Sequence, residues 1–142
     1  MKSYTNLEQS KKLAEILPNE SADMYYHNRV DIPDNFPLPI EWKHGNPLLS
    51  QEIPCWSLAA LMSLLPSEFT EKGEYSETTY EIDIRKYALT DDVDIYQIAY
   101  GNYKFYEDGS SSWKDMINTG EKEERLYAAY QMVVWLKENG KI

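Results

Sequence analysis

The 142-residue chain is long enough to bury one hydrophobic core and is expected to fold as a single domain over residues 1–142. Its 14 Lys and Arg stand against 24 Asp and Glu, a net charge of −10. That charge works against nucleic acid and anionic membrane surfaces, which both need cationic side chains to displace counterions. A single cysteine excludes an internal disulfide, and the polar opening residues hold no apolar leader, so a cytoplasmic location is expected.

The aromatic inventory is 12 Tyr, 4 Trp and 3 Phe. A tyrosine hydroxyl must reach water or a partner, so a modest core inside a tyrosine-rich shell is expected. The longest apolar stretch, residues 56–65, is too short to span a bilayer.

A helix opens the chain. Thr5 and Glu8 have the spacing of a capping box, Leu7, Leu13, Ala14, Ile16 and Leu17 recur on neighbouring faces, and Pro18 stops it. Residues 19–53 read as a long irregular segment with a short strand around Met24, Tyr25 and Tyr26. Prolines at 33, 37, 39 and 47 enforce extended geometry, and Phe36, Leu38, Ile40 and Trp42 alternate as in an edge strand or a polyproline-like segment. A second helix is expected over 54–65, with Pro54 in its first turn and Pro66 beyond its end. Residues 67–78 read as a polar connector.

Strict alternation then predicts strands over 79–87 and 94–100, separated by a turn at Thr90-Asp91-Asp92. Gly101-Asn102 reads as a hairpin turn into a third strand over 103–106, closed by Glu107-Asp108-Gly109 and the serines 110–112. A last helix starts at Thr119 or Gly120, carries Glu121, Glu123 and Glu124 in its first turn and ends at Gly140. The expected fold is therefore α+β, a three-stranded antiparallel meander packed by about three helices in the order α-loop-α-β-β-β-α.

Cys55 is the one candidate nucleophile. At the head of a helix its thiol would be acidified by the helix dipole. The run Gln51-Glu52-Ile53-Pro54-Cys55-Trp56-Ser57 resembles the nucleophile segment of papain-like cysteine peptidases. In that family the base histidine follows the cysteine, whereas His27 and His44 both precede Cys55 here. A cysteine-dependent hydrolase would have to use one of them as base.

His27, Asp31, Glu41 and His44 are the only candidate metal ligands, and their spacing matches no metal motif. Asp91-Asp92-Val93-Asp94 lacks the glycine and terminal glutamate of an EF-hand loop. The chain has no phosphate-binding glycine motif and no Gly-x-Ser-x-Gly, so no cofactor is expected. The acidic run from Glu68 to Asp94 reads as a solvated face or, more sharply, as a surface that meets a basic partner or imitates nucleic acid.

Three segments carry a resemblance: Tyr4-Thr5-Asn6-Leu7-Glu8 with the helix that follows to Pro18, Pro54-Cys55-Trp56-Ser57-Leu58-Ala59-Ala60-Leu61, and Trp135-Leu136-Lys137-Glu138-Asn139-Gly140-Lys141-Ile142. Together they resemble small uncharacterised proteins of phages and integrated mobile elements of gut bacteria. The resemblance implies an accessory role in a mobile element's life in its host, and no activity, cofactor or catalytic residue comes with it.

The leading expectation is a non-enzymatic, acidic protein-interaction module. Tyr25, Tyr26, Phe36 and Trp42 are its candidate contact surface, because Tyr and Trp serve as interface anchors. The rival readings are a hydrolase using Cys55 and a DNA-mimic antagonist of a host nuclease or regulator.

Overall fold

The structure, a computed structural model, describes residues 3–27 and 38–142. Helix α1 spans Leu7–Ile16. Its cap is Asn6, one residue past the expected Thr5, and a capping box joins Asn6 to Gln9. Thr5 cannot cap, because its hydroxyl is engaged by the Ser10 hydroxyl at 2.7 Å and by the Trp56 N–H at 3.1 Å. The N–H of Leu17 still bonds Leu13, and Pro18 follows.

Three short strands form a small antiparallel sheet: β1 (Met24–Tyr26), β2 (Ile40–Glu41) and β3 (Ile53–Cys55), in the order β2-β1-β3. The register pairs Tyr25 with Ile40 on one side and with Pro54 on the other. Pro54 and Cys55 therefore lie on an edge strand, not in a helix, where a residue without an N–H is tolerated. Helix α2 is correspondingly shorter, Leu58–Leu64. Ser57 caps it by accepting from the Ala60 N–H, and it donates to Asp23 Oδ2 at 2.5 Å.

The second sheet has four antiparallel strands in sequence order: β4 (Glu68–Lys72), β5 (Glu77–Ala88), β6 (Asp94–Phe105) and β7 (Ser111–Asn118). Two sheets thus replace the expected single three-stranded meander, and the order α-loop-α-β-β-β-α does not hold. The polar connector contains β4, whose Phe69 packs into the core opposite Tyr80. Gly101-Asn102 is no turn. β6 runs through it, and a β-bulge sits between Tyr100 and Gly101. The chain reverses instead at 106–110, where Asp108 Oδ1 accepts from the Ser110 N–H and hydroxyl.

Helix α3 spans Arg125–Glu138 and starts later than expected. Residues 119–122 stay beside β6, with Tyr96 and Lys122 exchanging two backbone hydrogen bonds of 2.7 and 3.0 Å. Gly140, at φ +69°, ends the helix. The Gly140 N–H reaches Lys137 O and the Lys141 N–H reaches Leu136 O, a Schellman motif.

Helix α3 packs over β6, and α1 and α2 pack on α3. Trp56, Leu61, Ile98, Tyr100, Met132 and Leu136 are among the fully buried centre of this core. Tyr80 and Ile82 turn toward the helices, so by strand alternation Glu81, Asp83 and Arg85 turn to the opposite face, which is helix-free among the described residues. Among the described residues, no helix is long and apolar enough to cross a membrane.

Candidate interaction surface

The residues singled out by sequence separate in space. Tyr26 faces inward, 4% exposed, and its hydroxyl donates to Thr5 O at 2.7 Å, so it belongs to the core and not to a contact surface. Phe36 and Asp31 lie outside the described residues. Tyr25 and Trp42 are half-buried and line an open cleft of about 640 Å³ with Glu41, Leu48 and Glu52. The Trp42 ring stacks on His44 at 4.0 Å, and its indole donates to Asn46 O. His27 Nδ1 sits 3.4 Å from Glu52. Among the described residues, no group of three His, Cys, Asp or Glu could hold a metal ion.

Cys55 is fully buried on β3. Its thiol donates to Thr5 O at 3.4 Å and lies 3.5 Å from Thr5 Oγ1. The helix terminus expected to acidify it begins at Leu58, and burial pushes the thiol pKa up instead. Burial raises the Tyr26 and Tyr100 hydroxyls as well. A small alkylating reagent is therefore expected to label Cys55 slowly in the native protein and rapidly in denaturant; equal rates would place the thiol at the surface.

The same three groups set an alkaline limit. A raised folded pKa means that their stabilisation is complete below the unfolded values, about 8.5 for a thiol and 10 for a tyrosine, and is lost above them. Melting temperature is expected to hold from neutral pH to about pH 9 and then to fall. A flat profile to pH 11 would contradict the burial of these groups.

The helix-free face of the four-stranded sheet carries a different constellation. Arg85 lies at its centre, bound bidentately to Asp115 at 2.6 and 2.9 Å, to Asp83 at 2.7 Å and to Gln97 at 3.0 Å. The Trp113 indole donates to Asp115 Oδ1, and the Tyr103 ring meets Trp113 edge-on at 5.2 Å. Hydrogen bonding to Arg85 holds the Asp115 carboxyl below the usual carboxylate range. That stabilisation is present above about pH 3.9 and is lost as the pH falls through the depressed value. Arg85→Met is expected to destabilise by about 1.5 kcal/mol and to return the Asp115 pKa toward the ordinary range, read by urea denaturation and a carboxyl NMR titration. An unmoved Asp115 titration would contradict the pairing.

Beside this network the face is unbalanced. Glu68 and Glu81 are directly opposed across β4 and β5, both exposed, and among the described residues no cation lies within ion-pair distance of either. Like charges opposed in this way are unfavourable. Gly101 follows Glu81 across the sheet, then Asp115, so no side chain intervenes between them. Exposed Tyr87, Tyr103 and Phe105 frame the same face.

Of the rest of the acidic run, Glu77 shares the face of Glu81 and pairs with Lys72 at 3.8 Å. Glu71 turns to the helix side and pairs with Lys141, Asp94 pairs with Lys86, and Asp91 and Asp92 sit in the β5–β6 turn. These acidic side chains therefore do not all share one face. Sequence reasoning passed over Arg85, Trp113 and Asp115, since Arg85 and Asp115 lie 30 residues apart. The only local signal was a lone arginine on the polar side of an alternating strand. Compared with known family models, curated proteins and solved structures, the chain finds no match.

Proposed function

We propose that the protein is a non-enzymatic interaction module that binds a basic protein partner on the helix-free face of its four-stranded sheet, in the service of a phage or mobile element, as the sequence resemblance implies. The exposed pair Glu68 and Glu81, opposed with no cation among the described residues in ion-pair reach, carries this reading. A partner's Lys or Arg placed between them would relieve their repulsion. The Arg85 network supports the reading by holding the centre of the face rigid, which lowers the entropy lost on binding. Tyr103 and Trp113 supply aromatic area beside the charges. The net charge of −10 favours a basic protein over nucleic acid.

The test is a tagged pulldown from the native host's lysate at low and high salt. The expected result is one near-stoichiometric basic protein, lost at high salt and lost at low salt with Glu68→Lys/Glu81→Lys. A partner indifferent to both would move the interface elsewhere, and no partner at either salt would overturn the reading.

A further inference from the structure

The pairing of β5 with β6 ends at Glu81 opposite Gly101, yet both strands continue. β5 reaches back to Glu77 while paired with β4, and β6 runs on to Phe105 while paired with β7. Beyond the bulge the sheet is therefore two separate hairpins, and residues 77–80 of β5 and 102–105 of β6 have no strand partner among the described residues on the sides that face each other. Unpaired strand edges are templates for an added strand.

The chemistry around this fork is acidic and aromatic. Glu68 and Glu81 sit where it opens and carry its negative charge; Glu77 along one arm is paired with Lys72 at 3.8 Å, and Glu107 and Asp108 lie at the tip of the other arm, beyond exposed Lys104. Tyr75, Tyr103 and Phe105 are 91%, 56% and 82% exposed. Aromatic faces and carboxylates together suit guanidinium and ammonium groups.

We infer that the fork receives an extended segment of a protein partner with Arg or Lys at alternate positions, whose backbone pairs with the freed strand edge at 102–105 and whose cations meet Glu81 and Glu68. This rests on the interaction reading above and names the partner's recognised element. Alternation is required because a strand presents every second side chain to one face. The free edge calls for a backbone with its N–H groups intact, which separates this mode from general attraction to an acidic protein.

The experiment is an NMR titration of the full chain with a heptapeptide alternating arginine and valine, its termini blocked. A second peptide is N-methylated at each valine. Saturable binding is expected, with the amides of 77–81 and 102–105 moving and becoming slower to exchange. N-methylation, or Glu68→Gln/Glu81→Gln in the protein, should each weaken binding about tenfold. Equal binding of the N-methylated peptide, shifts centred on Tyr25 and Trp42, or no binding at all would overturn the fork as the site. A salt-sensitive partner retained in the pulldown would in those cases leave the wider interaction reading standing.

Discussion

Trp56→Ala is expected to remove about 4 kcal/mol of folding stability, a large part of what a domain of this size has. Trp56 is fully buried where residues 3–5, α1, the small sheet and α2 meet. Its carbonyl accepts from the Thr5 N–H at 2.9 Å, its N–H donates to Thr5 Oγ1, and its indole donates to Ser21 Oγ at 2.9 Å. The backbone bonds survive truncation, so the loss comes from the cavity and from the indole's buried surface. Ser21 stays partly exposed and can turn to water. Trp56→Phe keeps most of the apolar volume and should lose only about 1–2 kcal/mol. Urea denaturation followed by far-UV circular dichroism measures both. A loss below about 1.5 kcal/mol for the alanine variant would mean that these four segments do not share one core.

Gly101→Ala is expected to lose about 3 kcal/mol and roughly 6–10 °C of melting temperature, more than a surface methyl group normally does. A Cβ at this position would stand 2.3 Å from Lys114 O and 3.0 Å from both Asp115 Cα and Lys114 C. All three are backbone atoms, so no rotamer change relieves the clash. The β6–β7 bulge must move, and with it the edge-on contact of Tyr103 and Trp113. The near-UV circular dichroism of those rings should weaken in step with stability. Gly45→Ala is the control: nothing lies within 4 Å of its added Cβ, and it should change stability by less than about 0.5 kcal/mol. Similar losses for both glycines would remove the close approach of β6 and β7 as the cause.

Much of the local structure was legible in the residues. The apolar spacing of α1, the alternation within β5 and the first half of β6, and the stop at Gly140 all come from side chains sorting between water and core within a few positions. The errors cluster where a local signal competes with a distant partner. Pro54 looks like a helix start, but Tyr25 holds it in a strand. Gly101-Asn102 looks like a turn, but the carbonyl of Lys114 needs the space that a side chain would fill. Two of the proposed contact residues, Tyr25 and Trp42, do share a cleft, whereas Tyr26 turns into the core because alternation along β1 sends it toward Thr5.

The sequence by itself determined the charge, the single thiol, the amphipathic periods and several stops, each the property of a residue or of a short run. Only the tertiary structure decided which residues meet: Thr5 with Trp56 across 51 positions and Arg85 with Asp115 across 30. It also decided that β5 and β6 part company at Gly101. Periodicity specifies which face of an element is apolar. It does not specify register between distant strands, because register depends on backbone hydrogen bonds and close approach that no single segment contains.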